Sequence, residues 1–245
     1  MTVTVATLGF PRIGPRRELK TALESYWSGK SDQVALLAVA ADLRSKTWAL
    51  QRDLGADIIP ANDFSLYDHV LDTTAMVGAI PPAYGWSRGE VGLETYFAMA
   101  RGAQGEAAPE GCAHGHAHDG DGVPAAEMTK WFDTNYHYLV PEFTADQLFR
   151  LASTKAVQEY REAKAQGIET RPVLLGPVSY LLLGKTRGAD FEPLSLLPRL
   201  LPVYAETLKL LSEAGASWVQ IDEPCLVLDL SDTARAAFGD AYADQ

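Results

Sequence analysis

Short apolar runs alternate with longer amphipathic ones along this chain. Residues 3 to 9, VTVATLG, alternate β-branched and polar positions, which predicts a strand. PRRELKTALESYWSG, residues 15 to 29, repeats its apolar positions at helical spacing, with Pro15 suited to the first turn and Gly29 beyond the end. A second helix is predicted from about Ser31 to Leu54, with Asp32 as its cap. ADIIPANDFS, residues 56 to 65, reads as a strand running into a loop, and YDHVLDTTAMVGAI as a helix closed by Pro81 and Pro82. Further on, a strand is expected near NYHYLV (135–140), a buried strand leading into a loop at RPVLLGPVSYLLLG (171–184), and a helix over residues 195 to 215 ending at Gly215. SWVQIDEPCLVLDL (217–230) reads as a last strand, and SDTARAAFGDAYADQ reads as the middle of a helix with no cap.

Strand, helix, strand with near-continuous apolar strands predicts an α/β fold in which helices cover a parallel sheet. Charged residues follow several strands, namely Arg12, Asp63, Asp222 and Glu223. In a (βα)8 TIM barrel that rim carries the active site. About five strands are expected at roughly 50 residues per unit, so eight units would need roughly 400 residues. The expectation is therefore an incomplete barrel, about the first five βα units, forming one domain over residues 1–245. Residues 102–124 break the pattern with Gly, Ala, Pro and His and read as a flexible loop inserted within it.

Composition narrows the partners. A length of 245 residues, 47% hydrophobic, suffices for one large core. A net charge of −11 argues against nucleic acid and against anionic membranes, which select basic faces. No run reaches the roughly 18 apolar residues of a membrane span. MTVTVATLGF lacks the features of a signal peptide, and two cysteines are too few for a disulfide framework. A cytoplasmic protein is expected.

Against that acidic background, LGFPRIGPRRELK (8–20) gathers Arg12, Arg16, Arg17 and Lys20. Two readings fit: a site for a small anion, or a solvated helix face, since Arg16 and Lys20 lie one turn apart. Lys130, beside Trp131 and Phe132, reads either as a ligand contact or as a paired lysine on an aromatic strand. Asp222 and Glu223 could serve as acid, base or ligand contacts. His114, His116, His118, Asp119 and Asp121, with Cys112 nearby, could bind a metal weakly, but the intervening Gly and Ala supply no rigid support. Gly184-Lys185-Thr186 follows Gly176 at the wrong spacing for a phosphate-binding loop. Cys225 has no partner spaced to form a site with it and reads as a buried, inert thiol.

Four stretches occur in an order that is recognisable: LGFPRIGPRRELK, EMTKWFDTNYHYLVPEF, GPVSYLLLGK and WVQIDEP. From about Thr4 to Leu230 the chain resembles the N-terminal half of the cobalamin-independent methionine synthase family. The resemblance implies a two-barrel methyltransferase that moves the methyl group of 5-methyltetrahydropteroyltri-L-glutamate to homocysteine, without cobalamin. It further implies a zinc ion held by the C-terminal barrel, which would be the partner of this domain and is absent here, so the chain alone would be inactive. Positions matching the family's contacts to the folate polyglutamate tail are Arg17, Glu18, Leu19, Lys20 and Lys130. No catalytic residue and no metal ligand maps onto this chain. Asp222 and Glu223 match a motif whose copy in the other barrel contacts homocysteine, and here they read as rim structure. The competing expectation is a short non-catalytic paralogue that binds folate polyglutamate or a partner barrel.

Overall fold

The computed structural model describes residues 3–103, 122–188 and 190–243. The His/Asp tract expected as a weak metal loop therefore lies outside the described residues, although its two flanks, Ala103 and Val123, meet as an antiparallel bridge.

Two helices open the chain. α1 (Glu18–Trp27) buries Leu19 and Leu23 against α2 (Gln33–Asp53), whose Asp32 cap accepts a 2.8 Å hydrogen bond from the Ala35 amide. Sequence reading placed Pro15 in the first turn of α1, but the helix begins three residues later. Arg17 stands in the left-handed region at φ 62°, which no helix can pass through, so residues before it form a separate turn around Gly14 at φ 83°. β1 (Ile59–Ala61), α3 (His69–Val77) and α4 (Leu93–Arg101) follow. The expected first strand is reduced to one parallel bridge, Ala6 to Ile58.

β2 (Met128–Lys130) and β3 (His137–Leu139) pair antiparallel. The strand expected near residues 135–140 is therefore half of a hairpin and does not belong to the parallel sheet. Its connection to β2 spans only residues 131 to 136, too short for the crossover of a dozen or more residues that a parallel neighbour requires. β4 (Glu142–Phe143), α5 (Lys155–Ala165), β5 (Thr170–Leu175), α6 (Pro177–Leu182), β6 (Lys185–Thr186), α7 (Leu197–Ala214), β7 (Gln220–Asp222) and α8 (Asp232–Tyr242) complete the described strands and α-helices.

Among the described residues the main sheet runs β1-β5-β7, all parallel, with Ile59 opposite Thr170 and Val173 opposite Gln220. Counting the Ala6 bridge, four segments of chain run side by side in sequence order. That is one fewer than expected, because the hairpin stands apart. Helices fill the intervals, giving a mixed α/β chain with parallel pairing. Two other local expectations change. The segment after β5 is helical, not a loop, since Pro177 suits a first turn and Glu223 accepts from its amides. The C-terminal helix does have a cap, Ser231, which accepts from Ala234 N at 3.2 Å.

One apolar cluster joins α5, α6, α7 and α8 to β5 around Tyr160, Tyr180, Leu200 and Tyr204. A second joins α1, α2, α3 and α4 around Leu19, Leu36, Leu71 and Phe97. Among the described residues no helix is long and apolar enough to cross a membrane.

Candidate functional site

Two regions gather the charged residues singled out in the sequence. The first is a cavity of about 720 Å³ at the C-terminal ends of β1, β5 and β7. Arg12, Asp63, Asp222 and Glu223, all expected to follow strands, do line it. His69 and Asp72 reach it from α3, Lys155 from the start of α5, and Trp131 and His137 from the hairpin. Sequence reading missed His69, Asp72 and Lys155. His69, Asp72, Thr73 and Met76 share one face of α3, so polar residues at helical spacing in an apolar helix were the available signal.

The cavity's positive charges are already engaged. Lys155 Nζ donates to Asn62 Oδ1 at 2.8 Å and to the Phe64 carbonyl at 2.6 Å, with Glu159 at 3.1 Å and Asp72 at 3.3 Å. Burial alone would depress this ammonium, but Glu159 and Asp72 override it and hold its pKa up. Arg12 Nη1 donates to the Ser65 carbonyl at 2.6 Å. Asp63 accepts from Phe10 N at 2.8 Å, and burial raises its pKa. His69 is pushed down by burial, against the pull of Asp72 and Asp222. With these cations committed inside and carboxylates around them, the cavity is poorly suited to a polyanion.

Glu223 has a structural task. Its carboxylate accepts from Ser179 N at 2.7 Å, from Val178 N at 3.2 Å and from the Tyr242 hydroxyl at 2.6 Å, tying β7, α6 and α8 together. A methyl group on Gly176 would sit 2.1 Å from Glu223 Cδ, so only glycine admits this carboxylate. Asp222 accepts from Gln220 Nε2 at 2.7 Å. Cys225 is buried beside Ser179, and burial raises its thiol pKa, in keeping with an inert thiol.

The second region is the start of α1. Arg17, Glu18 and Lys20 share its first turn on the surface, while Leu19 is 1% exposed and serves the core. Glu18 accepts from the Arg16 amide at 2.9 Å and from Arg16 Nε at 3.2 Å, and backbone bonds from its own amide and from that of Arg16 lower its pKa. Lys20 lies 3.5 Å from Glu24 in an exposed pair of the kind that contributes little. Arg17 pairs with no carboxylate among the described residues, and neither does Lys130. Arg17, left-handed in its backbone, carries an exposed guanidinium, while the Leu19 amide of the first turn is taken by the Ile13 carbonyl at 3.2 Å. Lys130 ends β2 across from His137 and is likewise exposed. Four of the five sequence candidates are thus joined by one turn of helix, and the fifth lies on the hairpin.

Among the described residues no group of three or more His, Cys, Asp or Glu side chains could hold a metal ion. Over residues 4–245 the chain matches the family described as cobalamin-independent synthase, N-terminal domain. A relative from Nitrobacter winogradskyi is 68% identical over 240 residues, covering 97% of this chain and 31% of the relative. Others from Caulobacter vibrioides and Salinibacter ruber are 66% and 57% identical, covering 99% and 98% of this chain and 31% and 30% of the relatives. All three bear the name 5-methyltetrahydropteroyltriglutamate–homocysteine methyltransferase. The chain therefore spans less than a third of the length of the curated relatives it matches.

Proposed function

The chain belongs to the cobalamin-independent synthase family as its N-terminal domain, and from that premise we propose that it binds the glutamate tail of 5-methyltetrahydropteroyltriglutamate. In this reading Arg17, Lys20 and Lys130 meet the tail carboxylates, Glu18 contributes its backbone and orients Arg16, and Leu19 anchors the turn in the core. The observation that carries it is that Arg17 and Lys130, two of the positions singled out in the sequence, are both exposed and both without a carboxylate partner among the described residues of a chain with net charge −11. A guanidinium fork and an ammonium bind carboxylates well, and the N-terminal end of the α1 dipole adds positive potential.

The wider proposal follows the relatives' name. The domain would form a sector of a (βα)8 barrel over residues 1–245, with the 102–124 segment as an inserted loop, and would act in the cytoplasm beside a C-terminal barrel carrying homocysteine. Together they would move the folate methyl group to the homocysteine thiol without cobalamin. Zinc does not fit the described donors of this domain. Among the described residues no ligand cluster exists, and Cys225 is committed to packing beside Ser179 and Glu223. A zinc ion that activates the thiol would therefore be held by the other barrel, and no step runs through this one.

Substituting Lys130→Ala and Arg17→Ala tests the assignment. Each is expected to reduce affinity for the triglutamate form by about fivefold to tenfold while leaving the monoglutamate form unchanged. Equal loss for both forms would reject a role in the tail site.

A further inference from the structure

The two cation-bearing segments are held by a common piece of chain. Residues 62–68, between β1 and α3, are seated on the sheet by their own bonds. Asn62, at φ 60°, donates through Nδ2 to the Val173 carbonyl of β5 at 2.8 Å. Lys155 binds Asn62 Oδ1 and the Phe64 carbonyl, and Phe64 is buried at 6% exposure. A non-glycine residue in the left-handed region persists only where its surroundings over-determine it, and here three separate contacts do so.

From this base the loop reaches out in two directions. Toward the N-terminal segment, Asp63 accepts from Phe10 N at 2.8 Å and the Ser65 carbonyl accepts from Arg12 Nη1 at 2.6 Å. That segment runs through the Gly14 turn into α1 with Arg17 and Lys20. Toward the hairpin, Asp68 Oδ2 accepts from Leu139 N at 3.1 Å, while its Oδ1 accepts from Val70 N and Leu71 N, both at 2.8 Å, capping α3. Leu139 pairs with Met128 in the same ladder that carries Lys130. His69, the next residue, packs edge-on against Trp131 with ring centroids 4.5 Å apart, one residue from Lys130.

We infer that the 62–68 loop is a positioning device that sets the spacing between the α1 cations and Lys130, with Asp68 and Arg12 as its two grips. This rests on the tail-binding reading above. A flexible polycarboxylate gains from two cation groups only if they are held at a spacing it can bridge at once, because the second contact is then effectively intramolecular. Letting either segment float costs that gain without removing any charge.

The two oxygens of Asp68 do different work, so Asp68→Asn separates them. The amide oxygen can still cap α3, whereas an NH2 group now faces the Leu139 N–H and the hairpin tether is lost. Two measurements on the whole chain decide the matter. In amide hydrogen exchange, Leu139 is expected to exchange at least tenfold faster in Asp68→Asn, while the Val70 and Leu71 amides stay protected. In titrations with the triglutamate and monoglutamate forms, the triglutamate preference is expected to fall about fivefold to tenfold, and Asp68→Asn should add nothing on a Lys130→Ala background. Should Asp68→Asn not fold, Arg12→Ala carries the same test from the other side, adding nothing on a Lys130→Ala background. Additive losses in these cycles, or a freed Leu139 amide with unchanged triglutamate preference, would overturn the inference while the tail site stands. Absence of any triglutamate preference in the unmodified chain, or indifference to Lys130→Ala, would overturn both.

Discussion

Arg17 combines two features that elsewhere oppose each other: a left-handed backbone, disfavoured for any residue with a Cβ, and an exposed guanidinium. Glycine at this position relieves the backbone but removes the charge. Arg17→Gly is therefore expected to be more stable than Arg17→Ala by about 1 kcal/mol in denaturant unfolding, with both equally weak toward the triglutamate form. Asp68 offers a second residue-scale test. Burial raises its carboxyl to about 6, against three backbone bonds that favour ionisation. The folded chain thus holds a proton that the unfolded chain has released, so this group's contribution to stability is greatest below about pH 4. It falls as pH rises to about 6 and is constant above. Asp68→Asn lacks that slope, so the stability difference between the two chains should change between pH 4 and 6 and level off at pH 7. A constant difference across that range would contradict the assigned environment. The α1 cations were legible in the sequence because they crowd together on an acidic chain. Asp68, Asp72 and Lys155 were not, because separate elements bring them together and only the fold makes them neighbours.

Element boundaries followed the strongest local signals and departed where tertiary contacts decide. The Asp32 cap of α2 and the Gly215 terminus of α7 were readable from residue type alone. The start of α1 was not, since Pro15 suits a first turn and only the φ of Arg17 moves the boundary. The hairpin was missed because NYHYLV has strand composition whether its neighbour is parallel or antiparallel; the six-residue connection was the clue. α6 went unread because its N-terminal amides are satisfied by Glu223, over 40 residues away in the chain. Glu223→Ala leaves two backbone amides and the Tyr242 hydroxyl without their acceptor, and is expected to cost about 2 to 4 kcal/mol in denaturant unfolding. A loss under about 0.5 kcal/mol would mean that water replaces it freely.

At the scale of the whole molecule, the parallel order β1-β5-β7 was legible as an α/β class, and barrel closure belongs to the proposal. Both flanks of this sheet carry exposed apolar side chains: Val3, Val5 and Leu8 on one side, and Trp218, Leu226 and Val227 on the other. Parallel sheets are ordinarily covered, and open edges invite pairing. The chain on its own is expected to self-associate with rising concentration in sedimentation velocity, and a monodisperse monomer with a sharp, reversible melt would contradict this. The central claim, that the surface cations form a site for a polyglutamate tail, is tested most directly by calorimetric titration with 5-methyltetrahydrofolate as triglutamate and as monoglutamate, at low and high salt. The account predicts tighter triglutamate binding whose advantage shrinks as salt rises. Equal affinity for the two forms, unaffected by salt, would contradict it.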